Sequence, residues 1–153
     1  MEVKIVEFPE TKVAVLEHIG PPETEHNSIK KLIAWRVENK LPLEKHRNYG
    51  VHFNDPATTP AKKYRVDLCI SVEYEVSENS YGVINKIIPS GRCAVIRHVG
   101  SRDNVLPVKY LYQEWLPNSG ETLRNFPIFF HYVNVGPTVT EEKMITDVYL
   151  PLQ

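Results

Sequence analysis

Residues 13–20 read VAVLEHIG and residues 93–100 read CAVIRHVG, one strand-like motif written twice at an offset of 80 residues. Applied to the whole chain without a gap, the offset places Val3 on Val83 and Pro9 on Pro89. It places Ala14, Val15, His18 and Gly20 on Ala94, Val95, His98 and Gly100, and Trp35 on Trp115, the two tryptophans of the chain. Asn54, Thr58, Lys63 and Asp67 fall on Asn134, Thr138, Lys143 and Asp147. Self-similarity at a fixed offset marks a structural repeat. The chain therefore reads as one domain over 1–153, built from two repeats of about 1–80 and 81–153.

Each repeat carries the same order of signals. Short apolar runs at 3–8 and 82–88 each end at a proline, and the two motif strands alternate apolar and polar residues before a glycine. A helix is expected over roughly 23–39, with Ile29, Leu32, Ile33, Trp35 and Val37 on its apolar side. Its counterpart is expected over roughly 103–116, with Val108, Leu111, Tyr112 and Trp115, and Pro42 and Pro117 are expected to stop or follow the two helices. Strands NYGVHF (48–53) and IFFHYV (128–133) follow, then loops rich in Asn, Gly and Pro, then YRVDLCISV and MITDVYLPL. One such repeat cannot cover both its helix and its sheet. Two of them about a pseudo-two-fold would give an α+β fold: a duplicated strand-helix-strand-strand module, an antiparallel sheet with two helices on one face, and a central groove.

Composition removes several function classes. Apolar residues make up 42% of the chain, enough for a core. Charged residues are well mixed and sum to −1, so there is no basic face for direct nucleic-acid binding. No apolar run approaches membrane-spanning length and MEVKIVEF is no signal peptide, so a cytoplasmic protein with no membrane partner is expected. Cys69 and Cys93 lie in apolar runs and read as buried thiols. The chain has no Gly-rich phosphate loop and no G-x-S-x-G, and its six histidines show no metal-ligand spacing. Neither a cofactor, a metal nor a catalytic residue is assigned.

The segments VAVLEHIGPPE, YGVHFNDPATTPAKKYRVDLCISV, GRCAVIRHVG, YLYQEWLPNSGETL, PIFFHYVN and TDVYLPL, in this order and spacing, resemble the GyrI-like family. That family is the small-molecule-binding domain related to bacterial DNA gyrase inhibitors. It also serves as the effector-binding domain of some AraC-type and MerR-type regulators. The resemblance implies a cavity that takes chemically varied, often flat or cationic, organic ligands. A chain of 153 residues leaves no room for a helix-turn-helix beside the domain, so a free-standing member is expected. Its implied partners are a small hydrophobic or aromatic ligand and, at the protein level, DNA gyrase or a transcription regulator.

Strand alternation then selects residues. In IFFHYV, Phe130 and Tyr132 face one side, Phe129 and His131 the other, and the offset pairs Gly50 with Phe130 and His52 with Tyr132. The family commonly writes this strand F-E-x-Y; here it reads Phe129-Phe130-His131-Tyr132, with Phe130 in the place of the glutamate. The missing carboxylate weakens both cation attraction and acid–base catalysis. The ligand-binding set is His52, Phe130, Tyr132, Trp35, Trp115 and Tyr112, the tryptophans competing with a pure core role. Glu114 is expected on the solvated side of the helix, His18 and His98 in structural roles, and Asp67 and Asp147 as turn or capping residues. The run Lys62-Lys63-Tyr64-Arg65 is expected to form a solvated edge. A small-molecule-binding protein is the leading expectation. Hydrolysis of strained toxic compounds in the same pocket and a gyrase-modulating interaction are the alternatives.

Overall fold

The structure, a computed structural model, describes residues 1–153. The chain forms two compact units: a central one, Thr11–Ile88, and a terminal one, Met1–Glu10 with Pro89–Gln153. The class is α+β, with eight antiparallel strands and two helical segments.

An exchange of opening strands sets the division between units. β1 (Lys4–Phe8) pairs antiparallel with β6 (Gly91–Val99), from Lys4 opposite Val95 to Phe8 opposite Gly91. β5 (Ile84–Ile88) pairs with β2 (Thr11–Ile19), from Thr11 opposite Ile88 to Val15 opposite Ile84. Only Pro9-Glu10 separates β1 from β2, and only Pro89-Ser90 separates β5 from β6. A two-residue hairpin loop needs a positive φ at its first position, which proline cannot adopt. The chain therefore runs straight on, so β1 completes the sheet of the terminal unit and β5 that of the central unit.

Within each unit the sheet has the same plan. In the central unit β3 (Asn48–His52) pairs with β4 (Arg65–Ser71), and β4 pairs with β2. In the terminal unit β7 (Phe129–Tyr132) pairs with β8 (Ile145–Pro151), and β8 pairs with β6. The loops before β4 and β8 are closed alike: Asn54 Oδ1 accepts from the Arg65 backbone N–H at 2.8 Å, and Asn134 Oδ1 from that of Ile145 at 2.7 Å.

The helices differ. α1 (Glu25–Glu38) is regular and packs Leu32 and Trp35 into a core with Leu16, Val66, Leu68 and Ile70. Ile29, Ile33 and Val37, expected on its apolar side, are exposed. At 100° per residue they lie 90° or more from the direction of Leu32 and Trp35. In the terminal unit the helical stretch is broken in type: α2 (Leu106–Tyr110), a π-turn over Leu111–Trp115, and α3 (Leu116–Ser119). Within the π-turn, the Leu116 N–H reaches the Leu111 carbonyl, five residues back. Pro117 does not end this helix but sits inside it; Gly120, at φ 76°, ends it. In a regular α-helix the Pro117 ring would collide with the carbonyl of Gln113, and a widened turn relieves that collision. The extra residue shifts the inward register, so Leu111 is fully buried while Tyr112, on which the offset places Leu32, turns outward.

Cys69 and Cys93 are buried free thiols, and burial raises the pKa of both. No helix is long and apolar enough to cross a membrane.

Candidate functional site

β7 carries the aromatic residues at the centre of the site. Its register against β8 sets Phe130 opposite Val148 and Tyr132 opposite Thr146. Phe130 and Tyr132 share one face, as alternation requires, their ring centroids 6.3 Å apart and edge-to-face. Both belong to the apolar cluster of Ala94, Ile96, Leu111 and Val148, against which Trp115 also packs, half-buried. Phe129 points to the other face, stacked on Tyr149 at 4.9 Å and edge-on to Phe8 at 4.9 Å. The terminal unit thus brings together three of the six expected residues: Phe130, Tyr132 and Trp115.

The other three are placed differently. Tyr112 is 40% exposed, yet burial of part of the side chain still raises its phenol pKa. Trp35 is 2% exposed and fills the core of the central unit. His52 stands on β3 opposite Val66. The residue as a whole is half-buried, but its Nε2 is closed off from water, and desolvation pulls the imidazole down to about 4. It is therefore neutral at pH 7. Glu114 is exposed, as expected.

His18 and His98 each bond the backbone carbonyl three residues on: His18 Nε2 lies 3.1 Å from Pro21 O, and His98 Nε2 2.9 Å from Ser101 O. The repeated histidine is a pin for the strand-to-helix turn. His18 additionally meets Ser28 Oγ at 2.8 Å through Nδ1.

Asp67 and Asp147 are not turn or capping residues. Each sits within its strand and forms an ion pair. Buried Asp67 accepts from Lys86 Nζ at 2.8 Å and lies 3.5 Å from Arg65 Nη2, while Glu17 accepts from Arg65 at 3.0 Å and Lys86 at 2.7 Å. The Lys86 hydrogen bond holds the Glu17 carboxyl below its usual range. Burial alone would lower the Lys86 pKa, but its bonds to Asp67 and Glu17 outweigh that and raise it. Asp147 has a single partner, Arg97, which donates twice, at 2.9 and 3.0 Å. Lys62 and Lys63 are exposed as expected, but Tyr64 is buried and burial, with Glu25 beside it, pushes its phenol up to about 12.

Arg102 was not among the residues singled out from the sequence. Its Nε donates to Thr146 Oγ1 at 2.8 Å, and its Nη2 to the carbonyls of Ile145 at 2.7 Å and Asn134 at 3.0 Å. Its guanidinium centre lies 5.0 Å from the Tyr132 ring centroid. A lone arginine before a helix carries no periodic signal, so alternation could not have found it. Chemically, the terminal unit offers apolar ring surface with a fixed cation at its edge, and no carboxylate stands at Phe130 for acid–base work.

The whole chain, residues 1–153, matches the family described as the GyrI-like small molecule binding domain. It is 43% identical over 154 residues to the probable transcriptional regulator YgiV of Escherichia coli (strain K12), covering 99% of this chain and 96% of that one. It is 33% identical over 158 residues to a DNA gyrase inhibitor of Erwinia billingiae, covering 99% and 97%. The solved C-terminal domain of EcmrR shares the fold at a TM-score of 0.76 and 18% identity, covering 99% of this chain and 97% of that one. With its full length matched by the family profile, the chain belongs to the GyrI-like small-molecule-binding domain family.

Proposed function

We propose that this protein binds a hydrophobic or aromatic small molecule and acts without catalysis. The observation that carries the reading is the cluster of Phe130, Tyr132 and Trp115 in a chain of the small-molecule-binding family. Aromatic rings in edge-to-face contact offer a stiff apolar wall against which a flat ligand gains area at little entropic cost. His52, Trp35 and Tyr112 complete the proposed set. The duplication into repeats of about 1–80 and 81–153 is part of this proposal; the matched roles of His18 with His98 and Asn54 with Asn134 support it.

A thermal-shift screen with flat cationic dyes, neutral aromatics and lipophilic acids tests the reading. A ligand of the folded state raises the melting temperature by mass action. The expected result is a shift that disappears in Trp115→Ala and Tyr132→Ala. No shift from any class would refute it.

A second reading, modulation of DNA gyrase, is favoured by the 33% identity to a protein of that name. Capture of gyrase by this protein, unchanged in the Tyr132→Ala and Trp115→Ala variants, would select it over ligand binding.

A further inference from the structure

We propose that Arg102 makes the site selective for aromatic ligands that carry an anionic group, a carboxylate or sulfonate; the inference rests on ligand binding at Phe130, Tyr132 and Trp115.

Three observations carry it. First, Arg102 is a half-buried cation with no carboxylate in ion-pair contact. All its acceptors are neutral: the Thr146 hydroxyl, the Ile145 carbonyl and the carbonyl and side-chain oxygens of Asn134. Its sequence neighbour Asp103 is exposed and forms no ion pair with it. A half-buried charge without a counterion is costly, and an anion supplied from outside removes that cost.

Second, the guanidinium is oriented in advance. The bonds from Nε and Nη2 fix one edge of its plane, and the Tyr132 ring covers it at 5.0 Å. Nη1 makes no hydrogen bond within the chain and is not sealed from solvent. Its two N–H groups are held ready for an oxygen acceptor, a charge-assisted contact through one nitrogen.

Third, the arrangement belongs to one repeat alone. At the offset of 80, Arg102 falls on Pro22, Thr146 on Val66 and Tyr132 on His52. Three positions that meet in space differ together: the cation, the hydroxyl that accepts from it and the ring that covers it. A device needed merely to close the loop would not require them, since Asn54 closes the equivalent loop of the central unit without any of the three. Phe130 stands where the family commonly has a glutamate, so no carboxylate is carried at that position of the strand.

The test is a calorimetric titration with three probes of one shape and different charge: 2-naphthoate, 2-naphthamide and 2-naphthylmethylammonium. A charge-assisted bond at a partly desolvated site predicts that naphthoate binds about tenfold or more tighter than naphthamide, with the ammonium weakest. In Arg102→Gln, checked for folding by circular dichroism, the naphthoate-to-naphthamide ratio falls to about one while naphthamide affinity holds. Equal affinity of the three probes for the wild type would overturn the inference without using a variant, and would leave the binding function intact. Preference for the ammonium, or an unchanged ratio in folded Arg102→Gln, would overturn it too. Binding of none of the three would refute both the inference and the site on which it rests.

Discussion

The two units carry an aspartate at matching strand positions, buried in one and half-buried in the other, and balance its charge differently. In the central unit Asp67 sits 3% exposed inside a four-residue network in which Lys86 and Arg65 face Asp67 and Glu17. In the terminal unit Asp147 meets Arg97 alone, and that arginine is largely exposed. At the offset of 80, Glu17 falls on Arg97, Arg65 on Ile145 and Val6 on Lys86, so three of the four network positions differ and a pair stands in place of the network. The same contrast recurs in the helices. The central unit has a regular α1 with Trp35 sealed beneath it; the terminal unit has a π-turn, an exposed Tyr112 and a half-buried Trp115. The central unit seals Trp35 in its core, while the terminal unit buries Phe130, leaves Trp115, Tyr132 and Arg102 half-buried, and exposes Tyr112. π-turns concentrate at functional sites for this reason: the extra residue re-aims the side chains around it.

The sharpest way to break that comparison is to remove the tryptophans. Trp35→Ala should cost about 4 kcal/mol in urea unfolding, the cost of emptying a large core site, and Trp115→Ala about half as much or less. Equal losses would mean that Trp115 is as much a core residue as Trp35. Leu111→Ala should cost about 3 kcal/mol while Tyr112→Ala costs under about 1, because the π-turn has moved Leu111 into the inward position. The reverse order would place the helix in a regular register.

The ion pairs rank next. Asp67→Asn should cost about 3 kcal/mol, since it strips the buried partner from Lys86, and Asp147→Asn at most about 1 kcal/mol, since Arg97 returns to water. Finally, His52 takes up a proton at about pH 4 in the folded protein, against about 6.5 unfolded. Between those values the unfolded chain binds more protons, so stability falls as pH falls. About 2.5 kcal/mol should be lost between pH 7 and pH 4.5, and His52→Gln should flatten that part of the pH profile. An unchanged profile in the variant would assign the acid sensitivity to other groups.

Much of this was open to reading in the sequence. The offset, the strand order and the shared face of Phe130 and Tyr132 follow from periodicity, because a period of two determines which side chains share a face. Periodicity does not say which strand a strand pairs with, so the exchange of β1 and β5 had to be seen, although Pro9 and Pro89 forbid the tight hairpins that would have prevented it. The π-turn was hidden because Pro117 reads as a helix stop, and a broken register leaves Leu111 and Tyr112 equally apolar on paper. Asp67 and Asp147 followed turn-rich loops and suggested caps, while their partners lie on other strands. Arg102 depends on contacts with Thr146 and Tyr132, 44 and 30 residues further along the chain.

The central claim is that a small molecule binds on the Phe130–Tyr132–Trp115 face, and the most direct test is an amide NMR titration of the protein with 2-naphthoate. The account predicts shifts concentrated on residues 129–132 and 111–115 and around Arg102, saturating at one ligand per chain. Shifts confined to other segments, or scattered and non-saturating, would contradict it.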